Sequence, residues 1–206
     1  MTHSTYYTGS YAQNHWALQP ARLEDPNTIA LARYGGSQYG VYLNPTDKRG
    51  YRCIVCLMDE NNMAGTLNRD YTSEERIGLA LTVQLVVDVF SRILPVVQTA
   101  VAGNNAHSFD AETGTTKLGH KGEPNMLHAH IFARGNPAGE YVPGVALNGP
   151  APGEIFDMRG KTLDVPGNEG KVRWGAGEME KVTACLKDGI EVFAQTYSKL
   201  GVSVQV

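Results

Sequence analysis

Apolar and polar positions repeat with two periods along this chain, and the switches between them mark its elements. Tyr39–Leu43 and Tyr51–Met58 are short apolar runs, the second rich in β-branched residues, and both read as strands. The stretch between them, Asn44-Pro45-Thr46-Asp47-Lys48-Arg49-Gly50, has turn composition, so the two make a hairpin with a long loop. A helical period follows. Thr72-Ser73-Glu74-Glu75 has the form of a capping box, with Thr72 at the N-cap and Glu75 reaching back. Ile77, Leu81, Leu85, Val89 and Ile93 then recur at steps of four. Leu79, Val83, Val86, Val87, Phe90 and Leu94 widen the stripe, which predicts a helix buried on more than one side. Pro95 should end or kink it near Leu94, with a resumption through Val101. A last helix is expected over Glu178–Lys199, with Val182, Leu186, Ile190, Phe193 and Tyr197 on one face and Gly201 past its end. Residues 1–36 are turn-rich, with one short helix expected at Asn27–Arg33. Residues 103–124 and 135–175 are rich in Gly, Pro and polar residues and read as long loops, the first of a length usually kept for function. One α+β domain is the simplest reading.

A second strand pattern carries the candidate chemistry: Met126-Leu127-His128-Ala129-His130-Ile131-Phe132-Ala133-Arg134. Side chains on a strand alternate between faces. Leu127, Ala129, Ile131 and Ala133 would face a core. Met126, His128, His130 and Phe132 would share the other face, which sets two imidazoles side by side. That arrangement suits phosphate chemistry or a metal ion.

Bulk properties narrow the setting. The chain has 206 residues and a formal net charge of −3, with no basic run, so a nucleic-acid polymer is not an expected partner. Three cysteines, Cys53, Cys56 and Cys185, are too few for a disulfide framework. The CxxC at Cys53 and Cys56 lies in an apolar run, and on a strand its two thiols would face opposite ways. They read as buried structural cysteines in a reducing compartment. No apolar run reaches the length of a membrane span, and Met1–Tyr11 is polar, so a cytoplasmic protein without a membrane partner is expected. Trp16, Trp174 and the scattered tyrosines form no stacking pattern and read as packing residues.

The order of these pieces resembles the histidine triad (HIT-like) superfamily. Asn44-Pro45 to Val55 looks like that family's first hairpin, and Asp70-Tyr71-Thr72-Ser73-Glu74-Glu75 like its helix entry. Asn104-Asn105, Gly122 and then His128-Ala129-His130-Ile131-Phe132-Ala133-Arg134 look like its ligand loop and catalytic strand. The resemblance covers residues 39–135. It implies an antiparallel sheet with a long helix packed on it; residues 1–38 are then an arm and 136–206 an extension with the terminal helix, outside the resemblance but in the same domain. It also implies a homodimer across which the sheet extends. The chain departs from the pattern at three places. Met126 stands at the first triad position, the usual His after the second strand is missing, and Gly122-Glu123-Pro124 replaces Gly-Gln-Thr or Gly-Gln-Ser.

By that resemblance His128 is the nucleophile and His130 contacts the phosphate of a nucleotide or nucleotide-like substrate. An imidazole can attack phosphorus and leave again, provided it is neutral and its tautomer is fixed. His107 or His120 could replace the missing His that helps with this. Asn104, Asn105 and backbone amides of the 103–124 loop would add donors, Gly122 belongs to that loop, and Glu123 and Arg134 lie within reach. Met126 has no proton to give a leaving group, and could instead pack against a base. The expected function is nucleotide-phosphate hydrolysis or nucleotidyl transfer, with no cofactor. Two other readings stand beside it. One is a nucleotide-binding or regulatory protein with a degraded site. The other is a metalloenzyme with His128, His130 and His120, Glu123 or His107 as ligands.

Overall fold

The computed structural model describes residues 22–45, 48–58, 71–94, 97–102, 109–110, 115–116, 127–133, 139–147 and 173–206. Its strands are β1 (Thr28–Tyr34), β2 (Ser37–Leu43), β3 (Cys53–Leu57), β4 (Val97–Ala102), β5 (Phe109–Asp110), β6 (Thr115–Thr116), β7 (His128–Ala133), β8 (Gly139–Val142), β9 (Val145–Leu147) and β10 (Val202–Gln205). Helix α1 spans Ser73–Phe90 and helix α2 spans Glu178–Ser198. Six strands form one antiparallel sheet in the order β10-β1-β2-β3-β7-β4, while β5–β6 and β8–β9 are separate two-stranded ribbons. This is the expected α+β fold, an antiparallel sheet with a long helix packed on it and a second helix at the C-terminal end.

Alternation decides what each strand buries. Tyr39, Val41 and Leu43 of β2, Cys53, Val55 and Leu57 of β3, and Ala129 and Ile131 of β7 enter the core. They meet Leu79, Val83, Leu85, Val86, Val89 and Phe90 of α1, and Val182, Leu186 and Ile190 of α2 complete the layer. Burying such aliphatic side chains contributes about 1.5–3 kcal/mol each, which is why the helices commit to this one face. The capping box forms as expected. Glu75 N–H donates to Thr72 Oγ1 at 3.1 Å, and Thr72 N–H donates to Glu75 Oε2 at 2.7 Å.

Two expected helical stretches are strands. Asn27–Arg33, with its Ala and Leu content, was expected to be helical but contributes β1. Its backbone is held on both sides, by β2 and by β10, and that pairing overrides a weak local preference. The turn from β1 into β2 uses Gly35 at φ 56, a left-handed conformation in which glycine has no steric penalty. Glu74 closes over that turn and accepts from Gly36 N–H at 2.9 Å. The helix also does not resume after Pro95. It ends at Phe90, a turn covers Ser91–Ile93, and Val97–Ala102 pairs with β7 as β4. The residue before a proline avoids helical backbone, which separates the two elements.

The C-terminal region is built into the sheet layer. Past Gly201 (φ 88), β10 adds to the free side of β1. Residues 135–175, expected to be loop, include the β8–β9 ribbon. That ribbon and the entry to α2 grip the β2–β3 connection. Tyr51 Oη donates to Val145 O at 2.7 Å, and Trp174 Nε1 donates to Asn44 O at 2.7 Å. The Tyr51 and Trp174 rings stack with centroids 6.3 Å apart, and Lys48 pairs with Glu178 at 2.9 Å. Cys53, Cys56 and Cys185 are free thiols; Cys53 joins the core and Cys56 lies on the opposite face, as alternation requires. Among the described residues no helix is long and apolar enough to cross a membrane.

Candidate active site

The sheet face turned away from the helices carries the histidines. Two rows of residues cross it. In one, Tyr42 pairs with Ile54, Ile54 with His130, and His130 with Ala100. In the other, Gly40 pairs with Cys56, Cys56 with His128, and His128 with Ala102. Ile54, Cys56 and Tyr42 are buried, yet they stand outside the core between sheet and helices. They form an apolar floor beside the imidazoles. Tyr42 lies back over Gly40, where a Cβ would come within 2.7 Å of its ring, and its hydroxyl donates to Met58 Sδ at 3.1 Å.

His128 and His130 are partly buried, with ring centroids 4.8 Å apart and planes at 89°. Their Nε2 atoms approach to 3.1 Å. The other ring nitrogen of His130 is engaged by Arg52, whose Nε and Nη2 stand 3.3 and 3.1 Å from Nδ1. A guanidinium only donates, so Nδ1 of His130 must be an acceptor. The proton of neutral His130 then sits on Nε2 and is given to Nε2 of His128. His128 therefore presents a lone pair at Nε2 and carries its own proton on Nδ1. Tautomers here are assigned from hydrogen-bond partners, the usual basis for placing imidazole protons. Burial, then the Arg52 charge, then His128 hold the His130 imidazole well below its ordinary 6.5, so His130 is neutral at physiological pH.

The same geometry weighs against a metal at His130. An imidazole that ligates through Nε2 donates its Nδ1–H to an acceptor behind it. Behind His130 stands a cation with N–H groups, which cannot accept. Among the described residues no three His, Cys, Asp or Glu side chains are grouped to hold an ion.

Of the sequence-expected site residues, the structure brings His128 and His130 together. Asn104, Asn105, His107, His120, Gly122, Glu123, Met126 and Arg134 lie outside the described residues. Arg52 went unnoticed in the sequence. Its signal was parity: with β3 paired to the histidine strand, a residue two positions before Ile54 falls on the imidazole face. Its delivery there follows a left-handed pair, Gly50 (φ 63) and Tyr51 (φ 45), the second an uncommon conformation for a side chain of that size.

The family model described as "HIT-like: HIT-related" matches residues 25–186. The crystal structure of the uncharacterized protein LPG0439 superposes with a TM-score of 0.69 at 34% sequence identity, covering 87% of this chain and 87% of that one. No curated protein matches the chain. With the family match running over residues 25–186, most of its length, the chain belongs to the HIT-like, HIT-related family.

Proposed function

We propose that this protein hydrolyses, or transfers the nucleotidyl group of, a nucleoside phosphate, with His128 as nucleophile. The observation that carries the reading is the 3.1 Å approach of the Nε2 atoms of His128 and His130, with Arg52 donating to Nδ1 of His130 from behind, which assigns the Nε2 lone pair to His128. When a phosphate enters between the rings, the Nε2–H of His130 turns from His128 to a nonbridging oxygen. The freed lone pair of His128 forms an N–P bond as the bond from phosphorus to the leaving group breaks, and the leaving group departs with that bonding pair. Water or an acceptor hydroxyl then attacks phosphorus, the N–P pair returns to Nε2, and the attacking oxygen loses its proton to solvent. Splitting the displacement in two lowers each barrier, and a neutral donor on the oxygen stabilises charge that grows there. Asn104, Asn105, His120, Gly122, Glu123, Met126 and Arg134 are proposed to complete the ligand site by family resemblance.

Adenosine phosphoramidate and dinucleoside polyphosphates, offered to wild type and to His128→Ala, test the reading. Turnover by wild type that is lost in the variant is expected, fast for the dinucleoside polyphosphates and slow for the phosphoramidate with its amine leaving group, together with a phosphorylated or nucleotidylated His128 on rapid acid-free quenching. Nucleotide binding without turnover by wild type would replace it with a binding or regulatory role. A cytoplasmic homodimer with its sheet continued across the subunit boundary belongs to the same proposal, and light scattering of the purified protein checks the dimer.

A further inference from the structure

We propose that Arg52 is a positioning residue that sets the direction of the His130–His128 hydrogen bond and so determines which imidazole is the nucleophile. Two neutral imidazoles with facing Nε2 atoms share one proton between them, and either ring can supply it. If His128 supplied it, the lone pair of His128 would lie on Nδ1, at the far end of the ring, and His130 would have no proton for a phosphate oxygen. Arg52 removes that alternative. Its guanidinium donates to Nδ1 of His130 at 3.1–3.3 Å and cannot accept. A proton on Nδ1 would face two N–H groups and a positive charge. The His130 proton is thereby confined to Nε2, and the lone pair of His128 to the end that faces the reaction.

An arginine does this work over the whole physiological pH range, because it stays protonated throughout. A histidine behind His130 would change its own charge and donor pattern within that range. Besides burial, the groups that act on His130 are the Arg52 guanidinium ahead of β3 and the His128 imidazole on its own strand. In the two rows that cross the imidazoles, the described polar side chains are the Cys56 thiol and the Tyr42 phenol, both buried; burial raises Tyr42, and the thiol donates to Leu57 O at 3.6 Å. Neither competes for Nδ1 of His130. The naming of a nucleophile rests on the phosphate-transfer reading; the direction of the His130–His128 hydrogen bond does not.

Nitrogen-15 NMR of histidine-labelled protein reads the proton on each ring nitrogen without any substrate. In wild type, His130 should be an Nε2–H tautomer, His128 an Nδ1–H tautomer, and His130 should stay neutral well below pH 6.5. In Arg52→Met, which keeps the stem but has no donor, the His130 tautomers should mix, and its titration should rise toward 6.5 without reaching it, since burial remains. Arg52→Lys, a cationic donor, should restore the Nε2–H tautomer. In turnover, Arg52→Met should lower kcat about 10–100-fold, the loss typical when the partner that orients a ligating imidazole is removed, with KM little changed and partial recovery in Arg52→Lys. The wild-type spectrum tests the proposal even if Arg52→Met does not fold: an Nδ1–H His130, or one protonating near 6.5, overturns it. So does an Arg52→Met spectrum identical to wild type, even where turnover proceeds. The reverse outcome, the expected spectra with no turnover by wild type, removes the phosphate-transfer reading and supports the role of Arg52.

Discussion

Tyr51 reaches from the start of β3 to the carbonyl of Val145 in β9, an Oη···O contact of 2.7 Å between residues 94 apart in sequence. The residue is fully buried, and burial pushes its phenol up to about 12, so it is a neutral donor at physiological pH. Tyr51→Phe removes the donor and strands a buried carbonyl. We expect a loss of about 1–3 kcal/mol, read as a lower urea midpoint with an unchanged slope. Its left-handed backbone persists because the hydroxyl bond and the Trp174 stack hold the ring. Tyr51→Gly relieves the backbone yet loses both anchors, and should be the more damaging change despite its easier φ.

Lys48 and Glu178 bind the same region to α2, and the two partners are not equivalent. The Lys48 side chain is 6% exposed and that of Glu178 20%. Glu178 has a second donor in Gly175 N–H at 2.6 Å, whereas its contact at 2.9 Å is the ion pair Lys48 makes. Glu178→Ala therefore leaves a desolvated ammonium, while Lys48→Met leaves a carboxylate still bonded to backbone. The first should cost about 1–3 kcal/mol, discounted for the partial exposure of the pair, and the second under about 1. The Gly175 bond and then Lys48 hold the Glu178 carboxyl below its ordinary 4.5. Its stabilisation is present above 4.5 and disappears as pH falls through the lower folded-state value, so chemical denaturation below pH 4.5 should show a steeper acid loss in wild type than in Glu178→Ala.

What the chain discloses by itself tracks how local each interaction is. The capping box at Thr72 and Glu75 and the alternation of Ala129 and Ile131 against His128 and His130 depend on neighbours a few residues away, and each is present as read; of the helical stripe, Leu85 and Val89 are buried with Leu79, Val83, Val86 and Phe90, but Ile77 is exposed and Leu81 and Ile93 are only partly buried, so the helix buries one face rather than several. The segments of β1 and β4 read as helix from local sequence because their pairing partners, β10 and β7, lie far along the chain. Tyr51, Trp174 and Lys48 looked like a ring or a turn residue with no evident partner, since their partners are a carbonyl at Val145, a carbonyl at Asn44 and a carboxylate at Glu178. Arg52 shows the limit at the site. Its chemistry depends on the register between β3 and β7, which the alternation within either strand does not contain.

His130 makes a pH prediction of the opposite kind from an ordinary surface histidine. The folded protein keeps it neutral, whereas the unfolded chain protonates it at about 6.5. The unfolded state thus binds more protons as pH falls below that value, and stability declines in that window until the folded-state value is reached. One such proton corresponds to a slope of at most about 1.4 kcal/mol per pH unit. Denaturation midpoints measured in steps from pH 7.5 to 5 should fall in wild type and stay flatter in His130→Gln, which has no proton to gain. Equal slopes in the two proteins would show that His130 titrates alike in the folded and unfolded states, and so is not held neutral by the fold.

Met126 offers a prediction about chemistry. It precedes His128 by two residues, the place that the resemblance gives to a first triad residue, and a thioether has no proton for a departing group. On the proposed mechanism the leaving group must then depart as an anion or take its proton from elsewhere. Rates should depend steeply on leaving-group basicity: nucleotides with a pyrophosphate-like or nitrophenolate leaving group turn over, and those with an alkoxide or amine turn over slowly. Met126→His restores a general acid. It should raise kcat for the poor leaving groups by about 100-fold or more, the usual contribution of a positioned acid, and change the good ones little. Comparing the slope of log kcat against leaving-group pKa in the two proteins measures this directly. A wild-type slope already shallow, and unmoved by the substitution, would place a proton donor elsewhere in the site.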